Sequence, residues 1–127
     1  MSTQTTGALG ESIACKYLAS KGYTILERNY RRPWGEIDII GVKDDVLRFI
    51  EVKSVSRESS VDISREINDY RPEELVHQKK LRSIAKTAAF YVEGTAWEQA
   101  DYQIDVVAVF LNMQERTAKC RLIENVL

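Results

Sequence analysis

Charged and apolar residues alternate in two neighbouring segments of the chain, 35–42 and 46–53. Alternation of this kind is typical of a β-strand that buries one face. The polar residues Asp44-Asp45 between the segments predict a two-residue turn, so the two strands form an antiparallel hairpin. The alternation assigns four apolar side chains to the core side of this hairpin: Ile37, Ile39, Ile50 and Val52.

The same register brings charged residues together across the hairpin. It pairs Asp38 with Glu51 and Glu36 with Lys53. Residues directly opposite have Cβ atoms roughly 4.5–5.5 Å apart, and like charges at that separation are destabilising. Two facing carboxylates are explained by a bound hard cation. They are also explained by an ion network on a solvated sheet face, in which Lys53 neutralises Glu36 and Glu51.

The rest of the pattern predicts two helices and three further strands. The helices are expected over 8–21 and 72–93, and the strands over 23–30, 102–111 and 120–123. Gly22 is placed to cap the first helix, and the serine-rich stretch 54–70 is expected to be a mobile loop. This order predicts an α/β fold, a mixed β-sheet flanked by helices. The length of 127 residues suits a single domain over 1–127.

Composition narrows the function classes. The 44% hydrophobic content supports a folded core, and no apolar run is long enough to span a membrane. A polar N-terminus without a signal-peptide pattern and only two cysteines predict a reduced, cytoplasmic protein. The net charge of −1 argues against an avid, nonspecific nucleic-acid binder, although local basic clusters precede the hairpin and lie on the second helix.

The hairpin carboxylates suggest a particular chemistry. Asp38 and Glu51 would offer oxygen ligands to Mg²⁺ or Mn²⁺, and the carbonyl of Val52 would add a third. Lys53 would orient a water molecule or stabilise a phosphate oxygen. The reaction expected of such a site is hydrolysis of a phosphodiester.

Several blocks of the chain, most of them within residues 7–53, together resemble a known family. The blocks are Gly7-Ala8-Leu9-Gly10-Glu11, Arg28-Asn29-Tyr30-Arg31, Gly35-Glu36-Ile37-Asp38 and Phe49-Ile50-Glu51-Val52-Lys53. They resemble the bacterial UPF0102, or YraN, family, which belongs to the PD-(D/E)XK nuclease superfamily alongside archaeal Holliday-junction resolvases. The resemblance implies a restriction-endonuclease-like core and a catalytic site at Asp38, Glu51 and Lys53, completed by Glu11. Lys80 matches a lysine of the family's second helix.

Two classes of function follow from the resemblance. One is a divalent-metal nuclease acting on structured or damaged DNA, plausibly as a homodimer. The other is a nucleic-acid-binding module that keeps the fold without efficient cleavage. Arg31, Arg32 and Lys80 are candidate contacts for the nucleic-acid backbone. Trp34, in the predicted loop before the hairpin, would either stack on a base or pack over the edge of the sheet.

Overall fold

Two helices pack on opposite faces of a five-stranded sheet in the computed structural model, which describes residues 6–57 and 78–126. In chain order the elements are α1 (Thr6–Ser20), β1 (Thr24–Arg32), β2 (Gly35–Lys43), β3 (Val46–Arg57), α2 (Gln78–Val92), β4 (Tyr102–Asn112) and β5 (Thr117–Ile123). The strands lie in the sheet in chain order. Only β3 and β4 run parallel. The predicted α/β class, a mixed sheet flanked by helices, is confirmed. Neither helix in the described ranges has the length and apolar character that a membrane span requires.

The start of the fold follows its local signals. Gly22 has a φ of 93° and follows α1 as predicted. The backbone N–H of Tyr23 donates to the carbonyl of Leu18, and that of Gly22 donates to the carbonyl of Ala19. These two bonds form a Schellman motif, which satisfies carbonyls that the end of the helix leaves free.

The predicted loop over 54–70 is wrong at its beginning. Residues 54–57 continue β3, because each of them pairs with a residue of β4 between Val109 and Asn112. Serine and charged residues are tolerated there because the ladder to β4 supplies their backbone hydrogen bonds. Residues 58–70, and the predicted helix start at Pro72, lie outside the described residues. Strand β5 begins at Thr117, three residues earlier than predicted.

The core is divided between the two faces of the sheet. On one face, the sheet residues Ile37, Phe49, Ile104 and Phe110 pack with Leu81 and Ile84 of α2. On the other face, Ile39, Ile50 and Val109 pack with Ala14 and Leu18 of α1. The alternation predicted Ile37 and Ile39 on the same face of the sheet, and this is wrong, because they lie on opposite faces. The paired ladder between β2 and β3 ends at Ile39 and Ile50, so the alternation breaks at Asp38.

Helix α1 crosses β3 very closely at Gly10. A Cβ atom added to Gly10 would lie 1.8 Å from Oγ of Ser54 and 3.0 Å from its Cβ. Only glycine leaves room for this approach. The close packing fixes the position of the next residue, Glu11, over the sheet.

We expect Gly10→Ala to lower the free energy of unfolding by about 1–3 kcal/mol, because the added methyl group overpacks the contact with Ser54. Adding Ser54→Ala to that variant should recover part of the loss, because it removes the closest atom. Urea denaturation of the single and double variants measures both effects. A Gly10→Ala variant as stable as the wild type would contradict the packing argument.

Candidate functional site

The β2–β3 hairpin has the predicted register. Ile39 pairs with Ile50 and Lys43 with Val46, leaving Asp44 and Asp45 as the two-residue turn. Their φ values of 52° and 62° are both positive, as a type I′ turn requires. Asp38 and Glu51 are the next positions beyond the last pair, so they lie at the fork where the strands separate.

Asp38 is held at this fork by a backbone hydrogen bond. The N–H of Val52 donates to Oδ2 of Asp38 at 2.8 Å. The carboxylate thereby satisfies a strand N–H that the opposite strand no longer reaches. Burial raises the pKa of Asp38, and this bond and the nearby Lys80 ammonium oppose the rise.

Glu51 is the most buried carboxylate of the fork. The residue is only 6% exposed, on the face of the sheet that α2 covers. Nζ of Lys80 on α2 lies 2.5 Å from its Oε1. Burial, and then the negative charge of Asp38, raise the pKa of Glu51 to about 7, although Lys80 acts in the opposite direction. The fork therefore holds two carboxylates that are difficult to ionise together, next to one ammonium group.

Lys80 and Glu36 each form an ion pair in this region. The Lys80 ammonium pairs with Glu51, and its contact with the nucleic-acid backbone stays a prediction. Glu36 was expected to hold Lys53, but Nε of Arg31 lies 3.3 Å from Oε1 of Glu36. The reason is that β2 pairs only with β1 beyond the fork, where Arg31 is opposite Glu36. The side chain of Lys53 is exposed, two positions after Glu51 on the same strand.

Glu11 approaches Asp38 from the α1 side. Burial, and then the charge of Asp38, raise the pKa of Glu11, whereas Arg28 and a hydrogen bond with the Asn29 side chain lower it. Oε1 of Glu11 is buried and has no hydrogen-bond partner among the described residues. Spacing along the sequence cannot select Glu11, because only the packing of α1 on the sheet brings it near the hairpin.

The donor set at the fork suits a hard cation only in part. Carboxylate oxygens are the ligands that Mg²⁺ and Mn²⁺ prefer. Within residues 6–57 and 78–126, however, no three His, Cys, Asp or Glu side chains converge closely enough to hold an ion. Asp38 and Glu51 would have to be supplemented by a backbone carbonyl, water or substrate oxygens, which is common for Mg²⁺.

A polar cavity of about 370 Å³ adjoins Glu11. It is lined by Gly7, Ala8, Glu11, Ser12, Arg28, Asn29 and Arg31. Two of the seven lining residues are arginines, so the cavity can accept an anionic group next to the carboxylates. Of the candidate nucleic-acid contacts, Arg31 thus borders the site. Arg32 is the last residue of β1 and is not among the residues that line the cavity.

A second polar cluster surrounds buried Asp105. Asp105 needs partners if buried, and the structure supplies four. Its carboxylate accepts hydrogen bonds from the Gln103 amide at 2.8 Å, the Asn125 N–H at 2.9 Å, the Tyr23 hydroxyl at 3.1 Å and the Arg48 guanidinium at 3.5 Å. Arg48 also contacts Glu124 at 2.7 Å. A buried carboxylate with this many partners is a structural centre that joins β3, β4 and the segment after β5.

The cysteines take no part in the site. Cys15 and Cys120 are free, half-buried thiols. Burial raises the pKa of both thiols, which disfavours the nucleophilic thiolate.

The raised pKa of Glu51 predicts a pH-dependent stability. Its value of about 7 in the folded protein exceeds the ordinary 4.5, so the folded state holds the proton more tightly between these pH values. The free energy of unfolding should therefore fall as pH rises from 4.5 to 7, by about 3 kcal/mol at most. Urea denaturation across this range measures the slope. Glu51→Gln should flatten it and the exposed Glu115→Gln should not; a slope unchanged in Glu51→Gln would exclude Glu51 as its source.

Comparison with known proteins finds one matching family model and several similar relatives. The model described as "Uncharacterised protein family UPF0102" matches residues 10–109. A UPF0102 protein of Campylobacter fetus is 41% identical over 94% of this chain and 91% of that protein. One from Moorella thermoacetica is 36% identical over 98% and 96%, respectively.

Among solved structures, SfsA of Pyrococcus furiosus in complex with Ca²⁺ aligns with a TM-score of 0.35 and 18% identity. The alignment covers 94% of this chain but 62% of that chain, less than two thirds of it. A likeness this weak carries no argument here. The family match and the relatives, in contrast, cover most of the chain, and the protein therefore belongs to the UPF0102 family.

Proposed function

We propose that the protein is a nuclease with a restriction-endonuclease-like core that uses Mg²⁺ or Mn²⁺ to hydrolyse phosphodiester bonds in structured or damaged DNA. The observation that carries the proposal is the fork between β2 and β3. Two carboxylates meet there, one of them buried, and the ammonium group of Lys80 compensates them in part. A fold gains no stability from burying like charges together, so an arrangement of this kind points to a functional role.

Each side chain has a role in this proposal. Asp38 and Glu51, with the carbonyl of Val52, would hold the cation, and Glu11 would assist from α1. When bound, such a cation would supply activation of a water molecule and neutralisation of charge on the phosphate. Lys53, exposed on the same strand, orients the water or stabilises a phosphate oxygen. Two copies acting together would cut two strands.

Lys80 has a different role from the one its charge first suggests. Its ammonium group forms an ion pair with Glu51. This ion pair would have to break when a cation binds to the Glu51 carboxylate. The Lys80 side chain is 55% exposed, so it can swing to solvent or to a nearby phosphate. Lys80 would thus keep the carboxylates compensated in the metal-free protein.

A binding module without efficient cleavage is the second candidate. The ion pair between Lys80 and Glu51 favours it, because it compensates the buried carboxylate without any metal. The net charge of −1 also gives little general attraction for DNA. In this alternative the protein binds a nucleic-acid structure and leaves it intact.

The nuclease proposal predicts cleavage of at least one labelled nucleic acid in Mg²⁺ or Mn²⁺. The panel should contain single strands, duplexes, flaps and four-way junctions. Asp38→Asn and Glu51→Gln should each reduce the cleavage rate about 100-fold or more, because they remove charge at the metal. Asp101→Asn, at an exposed position before β4, is the matched control. Binding without cleavage would support the second candidate, and equal cleavage by all variants would reveal a contaminant.

The role given to Lys80 predicts competition with the metal. Lys80→Met should bind Mn²⁺ about five- to tenfold more tightly than the wild type, since a partly exposed ion pair contributes about 1 kcal/mol. Isothermal titration calorimetry measures this directly. Lys79→Met, which removes an exposed neighbouring charge, should leave the affinity unchanged. Weaker Mn²⁺ binding by Lys80→Met would show that the lysine supports the metal site and does not compete with it.

A further inference from the structure

An exposed pair of aromatic rings lies at the tip of the hairpin between β1 and β2. Trp34 occupies the turn and Phe90 lies near the end of α2, with exposed fractions of 37% and 42%. Their ring centroids are 5.1 Å apart and their planes are inclined by 72°. Large rings left this exposed in a chain of this size are candidates for ligand contact.

Two cations accompany these rings. The guanidinium carbon of Arg32 lies 4.4 Å from the ring centroid of Tyr30 and 5.0 Å from that of Phe90. Nζ of Lys86 lies 5.3 Å from the ring centroid of Trp34. We call Trp34, Phe90, Arg32 and Lys86 the hairpin platform. It combines flat apolar surfaces with positive charge, as proteins do where they bind single-stranded nucleic acid.

The hairpin platform is held rigidly against α2. Oγ of Ser83 donates to the carbonyl of Trp34 at 2.9 Å. A Cβ atom added to Gly35 would lie 2.5 Å from both Oγ of Ser83 and Oγ1 of Thr87, so the turn contacts the helix without a gap. Behind it, the rings of Tyr30 and Tyr91 pack edge to face at 5.1 Å. A surface fixed in this way loses little conformational entropy when a ligand binds.

The platform and the carboxylate fork share the same two elements. Strand β2 begins at Gly35, beside the platform, and reaches Asp38 after about 10 Å at the usual rise per residue. Helix α2 carries Lys80 at the fork and Lys86 at the platform, about 9 Å apart along its axis. A strand with a phosphate at the fork would therefore extend its neighbouring nucleotides over the platform.

We infer that the hairpin platform stacks an unpaired base of the bound nucleic acid, an inference that rests on the proposed function. The substrate would then be a single strand or a branched structure with unpaired nucleotides near the cleaved bond. A base presents its π-face to Trp34 or Phe90 only where it has left a continuous duplex. Arg32 and Lys86 would turn from the rings to the adjoining phosphates.

Charge and shape together favour this ligand over an acidic peptide. A peptide carboxylate would satisfy Arg32 and Lys86 but would leave the faces of Trp34 and Phe90 uncovered. A nucleotide satisfies both, because its base and its phosphate are adjacent. Stacking on an aromatic side chain is worth about 1–3 kcal/mol per base.

The test is metal-free binding of a fluorescent single-stranded oligonucleotide, followed by polarisation. Trp34→Ala and Phe90→Ala should each weaken binding about five- to 150-fold, from the stacking energy above. Trp34→Phe should retain most of the affinity. Met113→Ala, at a 47% exposed position in the turn after β4, is the control for loss of an exposed apolar side chain. Binding by Trp34→Ala and Phe90→Ala equal to that of the wild type would overturn the proposal.

Two further ligands separate stacking from charge. An oligonucleotide with abasic sites should bind about as weakly to the wild type as the normal strand binds to Trp34→Ala. Equal binding of abasic and normal strands would mean that phosphate contacts alone hold the ligand, against the proposal. In a Trp97→Phe background, in which Trp34 is the remaining tryptophan, the normal strand should quench fluorescence. Equal quenching and affinity with polyglutamate would point to an acidic protein partner and would also overturn it.

The outcome is independent of whether the protein cleaves DNA. If Trp34→Ala loses single-strand binding and the wild type cleaves nothing, base stacking on the platform is supported and the proposed nuclease function is rejected. Cleavage that depends on Asp38 but not on Trp34, with unchanged single-strand binding, would retain the nuclease and reject the platform. Unfolding midpoints of all variants should match the wild type within a few degrees, which excludes misfolding as the cause.

Discussion

The hydrogen bond from the Val52 N–H to the Asp38 carboxylate is the contact on which the site depends. A buried strand N–H must find an acceptor, and here a side chain replaces the carbonyl of the neighbouring strand. The replacement lets β2 leave β3 without an unsatisfied donor. It also aims Asp38 into the gap between the strands and places it beside Glu51.

The carboxylates at the fork and Glu11 next to it are all difficult to ionise. Burial raises the pKa of Glu11, Asp38 and Glu51 alike, and the charge of Asp38 adds to the rise in the other two. Lys80 opposes these rises only in part, because it pairs directly with Glu51 and acts on Asp38 through its charge. By contrast, the cluster around Asp105 gives its carboxylate four hydrogen-bond donors. One chain thus contains a buried acid whose hydrogen bonds are satisfied and a second set of acids whose burial is only partly compensated.

Residue preferences for caps and turns predicted the features that depend only on residues close together in the sequence. The cap at Gly22 and the turn at Asp44-Asp45 follow from backbone preferences, and both are confirmed. The position of Ile37 was wrong because alternation assumes an unbroken ladder, and the extent of β3 was wrong because its support comes from β4. Glu11 and Lys80 could be selected as site candidates only from the family resemblance. The contact of Lys80 with Glu51 depends on tertiary packing, so the sequence does not predict it. The Arg48 partner of Asp105 gave no signal along the chain.

The outer edge of the sheet has a consequence for assembly. Strand β1 is an edge strand, and such strands expose backbone groups that can pair with another chain. Here its register shifts between Ile25 and Glu27, and Asn29 has a left-handed φ of 53°. Both irregularities interrupt the row of donors and acceptors that an incoming strand needs. Strand β1 is consequently a poor template for β-augmentation, and two copies joined as a continuous sheet across this edge are disfavoured.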